Sequence, residues 1–425
     1  MRFDVPAWVL EIVRALKAAG GKAFVVGGPV RDLLLGRVVS DWDIATDLVP
    51  DCVVALFPKV VPTGLKHGTV TIVGDAGKAE VTTFRREGPY ADGRHPDAVE
   101  FVRDIEIDLA RRDFTVNAIA YDPESDELRD PYDGQSDITA RLIRAVGAAR
   151  DRFREDGLRP MRAVRFAATL GFEIEAATLA AIPEAIETTR KVAVERIRDE
   201  LLKMLGASRM ARWIEVMRKS GLLAVALPEL LAARGIAGKP HHAGDLYDQR
   251  VAICEAIPGP ARLRLVALVL DSPGAAFIRL AMSGADRRFA ETLVQHHDSL
   301  HLGDLTDGAI RRIIASVSRA NVEALLAMRR ADFTTRADGP VLVSAFDTLA
   351  TRVRRLAAEA WPDRPSGLAL RGDDLIASLG LYSGPEVGVI LRALHAAVLD
   401  DPALNTRDAL LAIVRREFFP KNSEK

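Results

Sequence analysis

The chain has 425 residues, 48% hydrophobic and 28% charged, with a net charge of −1; at about 150 residues per domain it is a folded protein of two or three domains, which excludes disorder. Two cysteines, Cys52 and Cys254, exclude a disulfide framework and a cysteine zinc site and point to a reducing, cytoplasmic setting. No uncharged apolar run reaches the roughly 18 residues of a membrane span, and Asp4 and Glu11 interrupt the first apolar pattern in a way unlike a signal peptide.

In chain order, the spacing of Val5, Trp8, Val9, Ile12, Val13 and Leu16 predicts a helix over 5–19, ended by Gly20-Gly21. KAFVVGG then reads as a strand running into a glycine turn, and DWDIAT as a further strand. VVPTGLKHGTVTIV and AEVTTFR are β-branched runs separated by GDAG, a hairpin signal. ADGRHPD is a polar loop before VEFVRDIEI. From about residue 150 the pattern turns helical, through RFAATLGF, AVERIRDELLKMLG, RMARWIEVMRKSG and LRALHAAVLD, without clear strand alternation. GIAGKPHHAGD and EAIPGPARL mark turns. The neutral total hides clustered arginines: Arg141, Arg144, Arg150, Arg152, Arg154, Arg159, Arg162 and Arg165 share one stretch. A basic face for nucleic acid and a set of salt-bridged helices both fit that pattern.

Two local signals suggest phosphate chemistry. Gly27-Gly28 follow a strand and precede Arg31, so backbone can approach a phosphate beside a positive charge, although taken alone such a pair is more often a plain tight turn. Asp41 and Asp43 stand at i and i+2, which on a strand turns both carboxylates to one face. Adjacent carboxylates repel unless a cation lies between them, and oxygen ligands suit Mg²⁺; a polar turn is the bland alternative. Glu80, on a later strand, is a candidate third carboxylate or an exposed strand residue. Neither a P-loop nor a dinucleotide fingerprint is present.

GGPVRDLLLG, DWDIAT, HGTVTI, EVTTFRREGPYADGRHPDAVEF, RRDFTVNAIAYDP, DPYDGQSDITARLIRAVG, RFREDGLRPMRAVRF and VERIRDELLKML stand in order over residues 27–206. Together they resemble the class II tRNA nucleotidyltransferases, the bacterial CCA-adding enzymes, and the related bacterial poly(A) polymerases of the DNA polymerase beta superfamily. The resemblance implies an α+β architecture: a small mixed β-sheet nucleotidyltransferase head over 1–145, a helical neck over 146–230, and a helical body and tail over 231–425 that bind tRNA. It implies addition of C, C and A to a tRNA 3′ end from CTP and ATP, with Mg²⁺, and with neither DNA nor a membrane as partner. Asp41 and Asp43 match the family's metal-binding carboxylates. Gly27, Gly28, Arg31 and Asp32 match its triphosphate block, and Arg112, Asp113 and Asn117 its ribose and phosphate block. For Asp113 an ion pair with a neighbouring arginine is the structural alternative.

Glu155-Asp156-Gly157-Leu158-Arg159 matches the family's amino-acid template, EDxxR, with Arg162 and Arg165 following. On one helix, Asp156 and Arg159 would share a face and touch each other. Asp accepts and Arg donates, which suits the Watson–Crick edges of cytosine and adenine and rejects uracil and guanine.

Several features depart from the pattern or refine it. Pro29 replaces a small or polar residue, and Pro160 follows the template arginine, where it is harmless only in a helix's first turn. Thr63-Gly64-Leu65-Lys66-His67-Gly68-Thr69 resembles the CCA-adding form rather than the poly(A) form, and His67 reads as structural. The loop carrying Arg85, Tyr90, Asp92 and Arg94 is intact, so addition of A is expected. GDLYDQRVAICEAIPGPARLRLVALVLDSPG resembles a decayed HD phosphohydrolase, with Leu270-Asp271 where His-Asp is needed, Gln249 where another histidine is expected, and a solvated His241-His242 pair; no hydrolase activity is expected.

Overall fold

The computed structural model describes residues 2–88, 99–379, 382 and 384–419. Two compact units divide the chain, Met1–Leu231 and Ala232–Lys425.

The first unit is built on a seven-stranded sheet of β1 (Ala23–Val26), β2 (Trp42–Thr46), β3 (Val60–Gly64), β4 (Thr69–Gly74), β5 (Gly77–Thr83), β8 (Ala120–Asp122) and β9 (Glu127–Arg129). Its spatial order is β3-β4-β5-β2-β1-β8-β9. Only β2 and β5 pair in parallel, so the sheet is mixed. A separate hairpin joins β6 (Arg85–Glu87) to β7 (Val99–Phe101). Helix α1 (Ala7–Ala18) buries Val9, Ile12, Val13 and Leu16, the stripe its period predicts. Phe24, Val26, Ala45, Phe84, Ile105, Leu109, Ala118, Ala120 and Val146 form one core cluster. Helix α2 (Gly28–Leu34) leaves the glycine turn, and Pro29 lies in its first turn, where no amide partner is lost. Helices α3 (Pro50–Leu56), α4 (Ile105–Ala110) and α5 (Gly134–Ala140) complete the sheet-bearing part.

Helices follow: α6 (Ala149–Glu155), α7 (Arg159–Leu170), then Val194–Leu205 and Met210–Ser220. One strand pair crosses into this region, since β10 (Leu142–Ile143) runs parallel to β11 (Glu173–Ile174); the expectation of helix alone after residue 150 misses it because two residues show no alternation. The template is not one helix either. Asp156 accepts the Leu158 N–H at 2.9 Å, a local side-chain bond that competes with helix continuation. Gly157 is required in the break, since a Cβ there would lie 2.5 Å from the Thr188 carbonyl oxygen. Pro160 then falls in the first turn of α7.

The second unit is helical. Leu368, Leu370, Leu375, Val387, Ile390, Leu394, Val398, Leu410, Ile413 and Val414 form a core among its last helices. In the segment read above as resembling an HD phosphohydrolase, Gln249 is buried and accepts the Lys239 amide at 3.0 Å, while Asp271 pairs with Arg250. His242 is not solvated as expected: its side chain is 1% exposed, with Nε2 3.2 Å from Asp332 Oδ1. Burial of the ring holds its pKa below the usual histidine range despite that carboxylate.

Candidate active site

A cavity of about 900 Å³ opens in the first unit, within the size range of small-molecule sites. Its walls collect Gly27, Gly28, Arg31, Asp41, Asp43, Glu80, Arg112, Asp113, Asn117, Asp156, Arg159, Arg162 and Arg165. Asp32 is absent from the lining; it holds Arg31 from behind, with Nε and Nη2 donating at 2.9 and 3.0 Å.

One corner is carboxylate. Asp41 directly precedes β2 and Asp43 lies on it, while Trp42 between them is buried on the other side. Glu80 is the register partner of Asp43 on β5. Burial pushes Asp43 up to about 6; Arg112 opposes the rise, and Glu80 and Asp41 add to it. Two oxygen-donor side chains on one face, destabilised by their own charge, fit a hard divalent cation. Glu80 stands beside the pair, but among the described residues no three histidine, cysteine or acidic side chains converge as ligands of one ion.

The glycine turn sits against this corner. Gly27 has φ 75°, and a Cβ there would lie 2.7 Å from Arg112 Nη1, so only glycine lets that guanidinium rest on the turn. Arg112 Nε is buried without a hydrogen-bond partner. Arg31 Nη1 donates to Asn117 Oδ1 at 2.7 Å, and Asn117 Nδ2 donates to Asp113 Oδ1 at 3.2 Å.

The opposite wall is a lattice of ion pairs. Asp113 is 8% exposed and pairs with Arg162 at 2.7 Å, not with the arginines beside it in sequence. Burial alone would raise its pKa, but Arg162, the Asn117 hydrogen bond and the charge of Arg159 hold it down at about 2. Asp156 and Arg159 do not pair with each other, contrary to expectation. Asp156 takes Arg196 Nη2 at 3.0 Å. Arg159 donates to Glu155 at 2.7 Å, to the Arg152 carbonyl at 3.1 Å and to the Arg111 carbonyl at 2.8 Å. The helix break at 156–158 separates the two side chains that one continuous helix would have stacked. Arg165 pairs with Glu200 at 2.7 Å and lies 3.4 Å over the Phe166 ring; Arg162 and Arg31 approach the same ring at 5.1 and 5.2 Å.

Residues not singled out from sequence also line the cavity: Thr82, Arg111, Phe166, Arg196 and Lys203. Arg111, Phe166, Arg196 and Lys203 sit inside the ordered blocks, so their signal was present without a side-chain role attached. His67 lines the cavity too, and its carbonyl accepts from Arg85. Tyr90, Asp92 and Arg94 lie outside the described residues. Nine cationic side chains face five carboxylates across the lining, an excess that draws a polyanion.

The chain is similar to known proteins in sequence and in fold. The family model described as "Poly A polymerase head domain" matches residues 23–144, and "Probable RNA and SrmB- binding site of polymerase A" matches 171–234. The CCA-adding enzyme of Geobacillus stearothermophilus is 36% identical over 420 residues, covering 95% of each chain. That of Geobacillus kaustophilus is 49% identical over 223 residues, 52% of this chain and 55% of that protein. The crystal structure of the Bacillus stearothermophilus CCA-adding enzyme in complex with CTP superposes with a TM-score of 0.78 at 33% identity over 96% of both chains. A carboxylate pair on a mixed sheet, an arginine wall on the helices behind it and likeness over 95% or more of the chain to the Geobacillus stearothermophilus enzyme and to the CTP-bound structure converge on one conclusion: this chain belongs to the CCA-adding enzymes, a family of tRNA nucleotidyltransferases.

Proposed function

We propose that the cavity adds C, C and A in turn to the 3′ end of a tRNA from CTP and ATP, releasing pyrophosphate. The observation that carries the reading is the carboxylate pair Asp41 and Asp43 facing an arginine-rich wall within one cavity. The primer 3′-oxygen bonds to the α-phosphorus as the bond to pyrophosphate breaks, and the hydroxyl proton is lost to water.

Asp41 and Asp43 would hold Mg²⁺, which supplies a lowered pKa at the primer hydroxyl and charge neutralisation on the leaving pyrophosphate. Arg112, aimed by Gly27 and with a buried donor unspent, receives phosphate oxygens beside that corner. Arg31, fixed by Asp32 and Asn117, adds charge without rotamer freedom, so little entropy is lost when the nucleotide arrives.

Asp156 and Arg159 read the base. Arg196 and the Leu158 amide leave lone pairs on the Asp156 carboxylate, an acceptor for the amino group of cytosine or adenine. Arg159 keeps donors beyond its three fixed acceptors for a ring nitrogen. Uracil and guanine oppose both groups with the wrong polarity. Support for the three-nucleotide product over a poly(A) tail comes from the full-length relatives, which are CCA-adding enzymes.

The test is extension of a labelled tRNA that ends at the discriminator base, with each nucleotide alone and then CTP with ATP, in Mg²⁺. The expected product is two C and one A followed by arrest, lost in Asp41→Ala. An unbounded A ladder without CTP would contradict the reading.

A further inference from the structure

Asp108 touches none of the residues to which the reaction assigns a metal or a base, yet it is the most enclosed carboxylate near the cavity. It sits on α4 with 0% exposure. Arg111 donates to its Oδ1 through Nε at 2.9 Å and Nη2 at 2.7 Å. Arg112 Nη2 donates to Oδ2 at 3.2 Å. The backbone N–H of Arg85, first residue of β6, donates to Oδ1 at 3.3 Å. Burial raises its pKa, but Arg111 and Arg112 outweigh burial and keep it charged.

Both arginines line the cavity. Arg112 rests on the glycine turn, and the Arg111 carbonyl anchors Arg159 at 2.8 Å. Two guanidiniums on consecutive residues would repel and splay without an anion between them. We propose that Asp108 is a positioning residue of the nucleotide site: it holds Arg111 and Arg112 toward the triphosphate and ties them to the root of the β6–β7 hairpin. This rests on the cavity being the nucleotide site.

Two physical effects oppose each other when Asp108 loses its charge. Net positive potential in the cavity rises, which favours a polyanion. The arginines lose their fixed geometry, which disfavours it, because preorganised donors bind without an ordering cost. A mere counter-charge would show the first effect; a positioning residue shows the second.

The experiment compares full-length wild type, D108N and R111K in single-nucleotide addition, measuring KM for CTP, KM for primer tRNA and melting temperature. R111K keeps the charge and loses the planar fork. For D108N the expected result is a CTP KM raised about tenfold, with primer KM within about twofold of wild type. R111K moves the same way by about threefold or more. A folded D108N whose CTP KM is unchanged or lowered overturns the proposal. If D108N does not fold, R111K decides: a raised CTP KM supports the proposal and an unchanged one overturns it. A wild type that incorporates no CTP would overturn the functional reading and this inference together, whereas an active wild type with unchanged variants overturns this inference alone.

Discussion

At one end of the cavity Asp43 and Glu80 stand in register on adjacent strands, and burial lifts Asp43 to about 6. At the other end Asp113, more buried still, is held at about 2 by Arg162, the Asn117 hydrogen bond and Arg159. The same residue type in one cavity is left unsatisfied in one place and fully satisfied in the other. The difference separates two jobs. On the function proposed above, a carboxylate that would receive a cation is kept short of partners, at a cost to the empty protein. A carboxylate that must hold arginines in place is already paired, and its charge is unavailable to a ligand.

The largest expected effect breaks the first half of the comparison. Asp43→Asn and Asp41→Asn remove charge from the corner that would hold Mg²⁺, so incorporation should fall by roughly a thousandfold or more while the protein stays folded. Single-turnover addition of one C measures it. Retention of wild-type rate in either variant would mean the corner is not the metal site.

Next in size is Asp113→Asn. Neutralising one partner of a buried pair leaves Arg162 without its main counter-charge, since Glu200 is 3.8 Å away. A loss of about 3 kcal/mol is expected, read by denaturant unfolding. The pH dependence has a definite sign. The folded pKa of about 2 lies below the ordinary aspartate value of 3.8, so this stability is fully present above about pH 4 and is lost as pH falls toward 2. Asp113→Asn should therefore flatten the acid limb of the stability curve, and an unchanged limb would contradict the pairing.

A smaller effect sharpens the reading of the template wall. Asp156→Asn keeps an oxygen for the Leu158 amide but places a donor where the base amino group is expected. Discrimination of CTP against UTP should narrow by about 10–100-fold. Unchanged discrimination would mean that Asp156 serves only Arg196 and the helix break.

How far the sequence reached depends on how local each cause is. Gly27, Gly28, Asp41 and Asp43 were legible because turn chemistry and strand period act over a few residues. The ordered blocks then brought Arg112, Asp113, Asn117, Asp156, Arg159, Arg162 and Arg165 to one cavity. Pairing was not legible. Asp113 with Arg162, Asp156 with Arg196 and Arg165 with Glu200 are contacts between separate segments, and in an arginine-rich stretch spacing alone favours i,i+3 and i,i+4 partners. The Asp156–Arg159 expectation failed for that reason: the crowding of Gly157 by Thr188 is tertiary, and it ends α6 before the two side chains can stack. His242 misled similarly, since a histidine pair on a loop carries no sign that Asp332 lies beneath it.

On the function proposed above, Asp43 is held charged against its own interest until a cation arrives. Its folded pKa of about 6 exceeds the ordinary aspartate value of 3.8, so the metal-free protein loses stability as pH rises from about 4 to 6 and stays penalised at neutral pH. The most direct measurement is the unfolding free energy of wild type and Asp43→Asn at pH 7, each in chelator and in Mg²⁺. The predicted result is that Asp43→Asn is more stable than wild type by about 1 kcal/mol in chelator, and that Mg²⁺ stabilises wild type but not the variant. A variant less stable than wild type in chelator, or stabilised by Mg²⁺ to the same degree, would contradict it.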